Sequence, residues 1–107
     1  MLEITVKEVK MRLDAGDEVF LLDVRESEEL SICCLAGAEH IPMLQLFTGL
    51  QKPAAPQGSE IIVFCHHGIR SLEAAQFLRL NGYETARSMA GGIEQWAVAI
   101  DPDMTRY

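Results

Sequence analysis

The sequence predicts an α/β fold: an open, mainly parallel sheet with helices on both faces. Two continuous apolar runs, Val19-Phe20-Leu21-Leu22 and Ile61-Ile62-Val63-Phe64-Cys65, suit strands covered on both sides rather than on one. Segments of helical spacing alternate with these runs, and glycine turns at Ala15-Gly16, Asn81-Gly82 and Gly91-Gly92 punctuate them. In such sheets ligands sit at the carboxyl ends of strands. That rule points at Asp23-Val24-Arg25 and at Cys65 onward.

Each element has its own signal. Thr5-Val6-Lys7-Glu8 reads as a capping box, and Val6, Val9 and Leu13 recur at helical spacing before Ala15-Gly16, so a helix is expected over 6–15. A buried strand follows over 19–24, ended by Arg25 and Glu26. Ser27 can cap a short helix through Glu28, Glu29, Leu30 and Ile32. Ala36-Gly37-Ala38 gives a turn, Ile41-Pro42 a short extended piece, 43–50 a helix, and 52–58, with Pro53 and Pro56, a loop. The clearest strand spans 61–65, where two Ile, a Val and a Phe fit a fully buried position. From Ser71, Leu72, Ala75 and Leu78 with Ala74 and Phe77 mark an amphipathic helix that stops at Asn81-Gly82. A last strand over 83–89 and a short helix over 93–98 complete the pattern.

Composition bounds the function. At 107 residues and 49% apolar content the chain is expected to be one domain, 1–107, with a real core. Nine basic against 16 acidic side chains, net charge -7, argue against a broad basic surface for nucleic acid or anionic lipid. No apolar run approaches the roughly 20 residues of a membrane helix, and the N-terminus lacks the basic region of a signal peptide. The three cysteines include the neighbours Cys33 and Cys34, a poor basis for a disulfide framework, so a reducing compartment, the cytoplasm, is expected.

Chemistry concentrates in Cys65-His66-His67-Gly68-Ile69-Arg70-Ser71. A thiol at a strand's carboxyl end, running into a helix N-terminus, meets the helix dipole, unpaired backbone N–H groups and the Arg70 guanidinium, all of which favour a thiolate. Gly68 allows positive φ and a tight wrap around the sulfur, and Ser71 can cap the helix or donate to the thiolate. Such a thiolate beside a fixed cation suits attack on an electrophile that is an anion or leaves as one. The plain alternative is a buried cysteine acting as a small hydrophobe; Gly68, Arg70 and Ser71 at this spacing favour the chemical reading.

Asp23-Val24-Arg25-Glu26, Gly37-Ala38 with Ile41-Pro42, Val63-Phe64-Cys65 with Gly68 and Arg70-Ser71, and Gly91-Gly92-Ile93 with Trp96 together resemble the successive motifs of a single-domain rhodanese. The resemblance spans nearly the whole chain. It implies a five-stranded, mainly parallel sheet and a thiosulfate sulfurtransferase-like activity, in which Cys65 carries a persulfide. Sulfane sulfur would come from a small anionic donor such as thiosulfate and pass to cyanide or a thiol. Cys65 and Arg70 are then the expected catalytic residues, and His66, His67, Gly68, Ile69 and Ser71 the expected substrate-binding loop. No cofactor and no metal are implied. A second reading is a persulfide carrier or regulatory sulfur-relay module that works with a sulfur-accepting protein. Related cell-cycle phosphatases and arsenate reductases use one residue more than the six from Cys65 to Arg70, which makes them the weaker reading. Sulfite also leaves without a general acid, whereas a phosphate monoester usually asks for one.

Several positions depart from the family pattern or stay open. Cys33-Cys34 stand where the family usually has Gly-His; both are expected to pack as small apolar residues, the sharper alternative being that Cys34 resolves an oxidised or persulfidated Cys65. His66 and His67 are expected to diverge, making a poor chelate and lining the entrance. Asp23 and Arg25 are expected either to hold Arg70 or the loop by ion pairing, or to pair with Glu28 or Glu29. His40 reads as a surface or satisfied polar residue and Trp96 as core.

Overall fold

A computed structural model describes residues 1–56 and 58–107; Gln57, within the loop expected over 52–58, lies outside the described residues. The chain runs β1 (Glu3–Ile4), α1 (Val6–Asp14), β2 (Val19–Asp23), α2 (Ser27–Leu30), β3 (Glu39–His40), α3 (Met43–Phe47), β4 (Glu60–Phe64), α4 (Ile69–Leu80), β5 (Arg87–Met89) and α5 (Gly92–Ala99). Five parallel strands form one sheet in the order β1-β5-β4-β2-β3. The expected α/β architecture is therefore present, with the sheet fully parallel.

Alternation along the central strands explains the two faces. Ile61, Val63 and Cys65 join Leu22, Val24, Ala74, Ala75 and Leu78 in one core, while Ile62 and Phe64 join Leu21, Val9, Ile93 and Trp96 in the other. Helices α3 and α4 pack together, as do α1 and α5. Every residue from Ile61 to Phe64 is at most 1% exposed, which is why that run carries no polar alternation.

Local chemistry sets the boundaries. Thr5 Oγ1 accepts from the Glu8 amide at 3.1 Å, as the capping box requires. Helix α2 is capped by Glu26 rather than Ser27: the Glu29 carboxylate accepts from the Glu26 amide at 2.9 Å, and the helix ends at Leu30. Helix α4 begins two residues earlier than Ser71, so Arg70 and Ser71 sit inside its first turn. Strand β5 is only Arg87–Met89, because the Tyr83 and Ala86 backbone groups close a turn instead, Ala86 N–H donating to Tyr83 O at 3.2 Å. The extended piece expected at Ile41-Pro42 pairs two residues earlier, at Glu39–His40, since proline cannot donate to the ladder. Helix α3 stops at Phe47, and the two-residue edge strand β1 carries no periodic signal of its own. Among the described residues no helix is long and apolar enough to cross a membrane.

Candidate active site around Cys65

Strand β4 ends at Phe64, paired with Asp23 of β2, so Cys65 emerges beside the Asp23-Val24-Arg25 strand end. The loop that follows is shaped from outside. The first amides of α5 bind its carbonyls: Ile93 N–H donates to Cys65 O at 2.9 Å and Glu94 N–H to His66 O at 3.0 Å. This close approach explains Gly92, where a Cβ would lie 2.5 Å from Cys65 O, and where φ is +63°. Gly68 has φ +94°, and a Cβ there would meet Gly91 N at 3.0 Å.

With its carbonyls engaged, the loop turns amides toward the sulfur. Cys65 Sγ accepts from Gly68 N–H at 3.1 Å and Ser71 N–H at 3.3 Å, and the thiol reaches Ser71 Oγ at 3.4 Å. Ser71 Oγ in turn lies 2.7 Å from Ser88 Oγ; both serines are buried, and Ser88 comes from β5 opposite Val63. Loss of the thiol proton leaves an anion facing two amides, with the Ser71 hydroxyl free to turn as a third donor while Ser88 donates to Ser71. Cys65 is 1% exposed.

Arg70 stands at the rim with a different partner from the one expected. Its Nη1 and Nη2 donate to the two Glu29 carboxylate oxygens at 2.7 and 2.9 Å, a bidentate pair. Arg70 holds the Glu29 carboxyl down at about 2, and Glu29 raises the guanidinium's affinity for its proton, with the nearby Cys65 sulfur a smaller contributor. The thiol is thus hydrogen-bonded by backbone and Ser71, and Arg70 supplies charge from the side.

Asp23 and Arg25 do not grip Arg70 directly. Arg25 donates to Asp23 through Nε at 3.0 Å and Nη2 at 2.8 Å, a pair fully removed from solvent. Its other N–H groups go to Cys33 O at 2.8 Å, Glu29 O at 3.4 Å and Tyr107 Oη at 2.9 Å. Of the two expected acidic partners, Glu29 contributes only its backbone carbonyl to Arg25.

The histidines correct another expectation. His66 and His67 approach one another with ring centroids 3.9 Å apart, because His66 is held in place from its other side by Tyr107, stacked at 3.8 Å and 10°. Burial, then the charge of His67, pushes the His66 pKa down. His66 is half-buried with an unpartnered, buried Nε2; His67 and Ile69 are exposed, Ile69 at 73%. Among the described residues no group of three or more His, Cys, Asp or Glu side chains is placed to hold a metal.

The other positions divide. His40 is satisfied by Arg25 O at 2.6 Å, and Trp96 is core. Cys33 packs partly against the second core, as expected, but Cys34 is exposed beside a groove lined by Leu35, Trp96 and Met104. Sequence reasoning did not single out Ser88 or Tyr107, and met Glu29 only as a partner for the wrong arginine; Tyr107 in particular carries no spacing signal.

The rhodanese-like domain model matches residues 5–99. This chain belongs to the rhodanese family. The rhodanese-like domain is 35% identical over 104 residues to a probable adenylyltransferase/sulfurtransferase MoeZ of Mycobacterium tuberculosis, covering 97% of this chain and 26% of that protein. It is 34% identical over 109 residues to the adenylyltransferase and sulfurtransferase MOCS3-1 of Zea mays, covering 97% and 23%. The chain thus spans about a quarter of the length of these curated relatives. The human single-domain sulfurtransferase TSTD1 superposes with a TM-score of 0.82 at 29% identity, over 92% of this chain and 97% of that one. Sulfurtransferases are thus among the relatives of this rhodanese-like domain.

Proposed function

We propose that this rhodanese-like domain transfers sulfane sulfur through a persulfide on Cys65. The observation that carries the reading is the Cys65 sulfur facing the Gly68 and Ser71 amides inside a six-residue loop with Arg70 at its rim. The Cys65 thiolate attacks the outer sulfur of thiosulfate; a new S–S bond forms, the donor's S–S bond breaks, and its electron pair departs with sulfite. Cyanide or a thiolate then attacks the terminal sulfur and releases the Cys65 thiolate. Neither step needs a general acid, which agrees with a sulfur surrounded by amides and hydroxyls. Arg70 retains N–H groups beyond the two used by Glu29 and offers them to the anionic donor.

A companion reading passes the same persulfide to a sulfur-accepting protein; the curated relatives are named sulfurtransferases, which fits either acceptor. Cytoplasmic residence fits the three free cysteines. A phosphatase or arsenate reductase would need room for a larger oxyanion than the six-residue loop provides.

Intact-mass measurement tests the proposal. Incubation with thiosulfate is expected to add one sulfur to the wild-type protein, removed by cyanide, and none to Cys65→Ser. Equal addition in Cys65→Ser would move the chemistry to Cys33 or Cys34.

A further inference from the structure

Tyr107 lies beyond the family-matched residues 5–99, yet it touches three parts of the site. Its ring stacks on His66. Its hydroxyl accepts from Arg25 Nη1 at 2.9 Å and donates to Glu29 Oε1 at 2.8 Å, the same oxygen that receives Arg70 Nη2. The segment leading to it is anchored along its length: Asp101 N–H donates to Trp96 O at 3.0 Å, Met104 packs on the second core, and Arg106 pairs with Glu94.

From these contacts we infer that Tyr107 is a positioning residue for Arg70, acting through Glu29; the inference rests on the reading of Cys65 and Arg70 as a sulfur-transfer site. The buried Asp23–Arg25 pair fixes the phenol oxygen, the phenol fixes one Glu29 oxygen, and the Glu26 amide fixes the other at 2.9 Å. A carboxylate pinned at both oxygens presents the fork of Arg70 in one orientation, leaving its remaining N–H groups directed for an anionic donor. Burial, above all, raises the Tyr107 pKa to about 12, so the phenol stays a donor to Glu29 throughout the neutral range.

Tyr107→Phe is the decisive variant, because it keeps the ring on His66 and removes only the hydroxyl. Two measurements are made: rotation of the Arg70 guanidinium about its Nε–Cζ bond by NMR, which needs no donor, and steady-state thiosulfate:cyanide kinetics. Rotation is expected to quicken, and KM for thiosulfate to rise about fivefold with kcat within about twofold, the scale of one lost hydrogen bond. In a Glu29→Ala background, where the phenol and Arg70 no longer share an acceptor, the same substitution is expected to change neither quantity further. Unchanged rotation in Tyr107→Phe overturns the inference. Quickened rotation with unchanged KM, or a full additional effect in the Glu29→Ala background, also overturns it. Failure of thiosulfate to load wild-type Cys65 would instead sink the sulfur-transfer reading, and the rotation measurement would still judge Tyr107.

Discussion

Arg25, just past the end of β2, and Arg70, in the first turn of α4, are each paired with a carboxylate, yet they spend their donors differently. Arg25 is fully buried, and its donors are spent on Asp23, Cys33 O, Glu29 O and Tyr107. Arg70 is 37% exposed at its side chain and spends one N–H of each terminal nitrogen on Glu29. Five donors filled make a structural bolt; donors left over beside a cradled sulfur are what the proposed transfer from an anionic donor requires. The lesson is that the motif arginines divide by donor occupancy, which charge and spacing alone do not reveal.

Replacing each arginine in turn separates the two roles. Arg25→Met leaves the Asp23 carboxylate buried without its cation, and the variant is expected to lose about 3 to 5 kcal/mol of stability. Urea unfolding measures this. A loss comparable to that of a surface residue would show that Asp23 finds another partner and that the bolt is not Arg25.

Arg70→Lys should leave stability within about 1 kcal/mol of wild type, since its pair is partly solvated. Activity is expected to fall about tenfold in kcat/KM for thiosulfate, because a lysine offers a point charge where the guanidinium can hold Glu29 and donor together. Near-normal kcat/KM would mean that Arg70 contributes charge and no geometry.

How much of this was legible follows from where each signal resides. The core strands were readable because Ile61 to Phe64 face cores on both sides, which writes burial into every residue rather than every second one. The Cys65 loop was readable because its own residues carry a local constraint, the positive φ of Gly68, although the α5 amides that hold its carbonyls come from outside it. Contacts across 41 residues, from Arg70 to Glu29, and across 82, from Arg25 to Tyr107, depend on how strand ends meet, and no local spacing records them. The closeness of His66 and His67 was missed for the same reason: the ring that holds His66 arrives from residue 107.

The smallest effect concerns the Arg70–Glu29 pair itself, and its sign follows from the direction of the Glu29 shift. Arg70 brings the Glu29 carboxyl from its ordinary 4.5 down to about 2. A carboxylate held lower in the folded than in the unfolded chain stabilises the fold fully above the unfolded value. That contribution is lost as pH falls from 4.5 toward about 2, where the folded-state carboxyl also takes up its proton. Glu29→Gln should therefore cost stability at pH 7, by less than about 1 kcal/mol because the Arg70 side chain of the pair is 37% exposed. The gap between the two proteins should narrow steadily through this acid range. Urea midpoints at pH 7, 4 and 2.5 check the prediction. A gap that stays constant with pH would show that Glu29 acts through its shape and its hydrogen bonds to Tyr107 and the Glu26 amide rather than through charge. The distinction between Arg25 and Arg70 would then rest on donor occupancy alone.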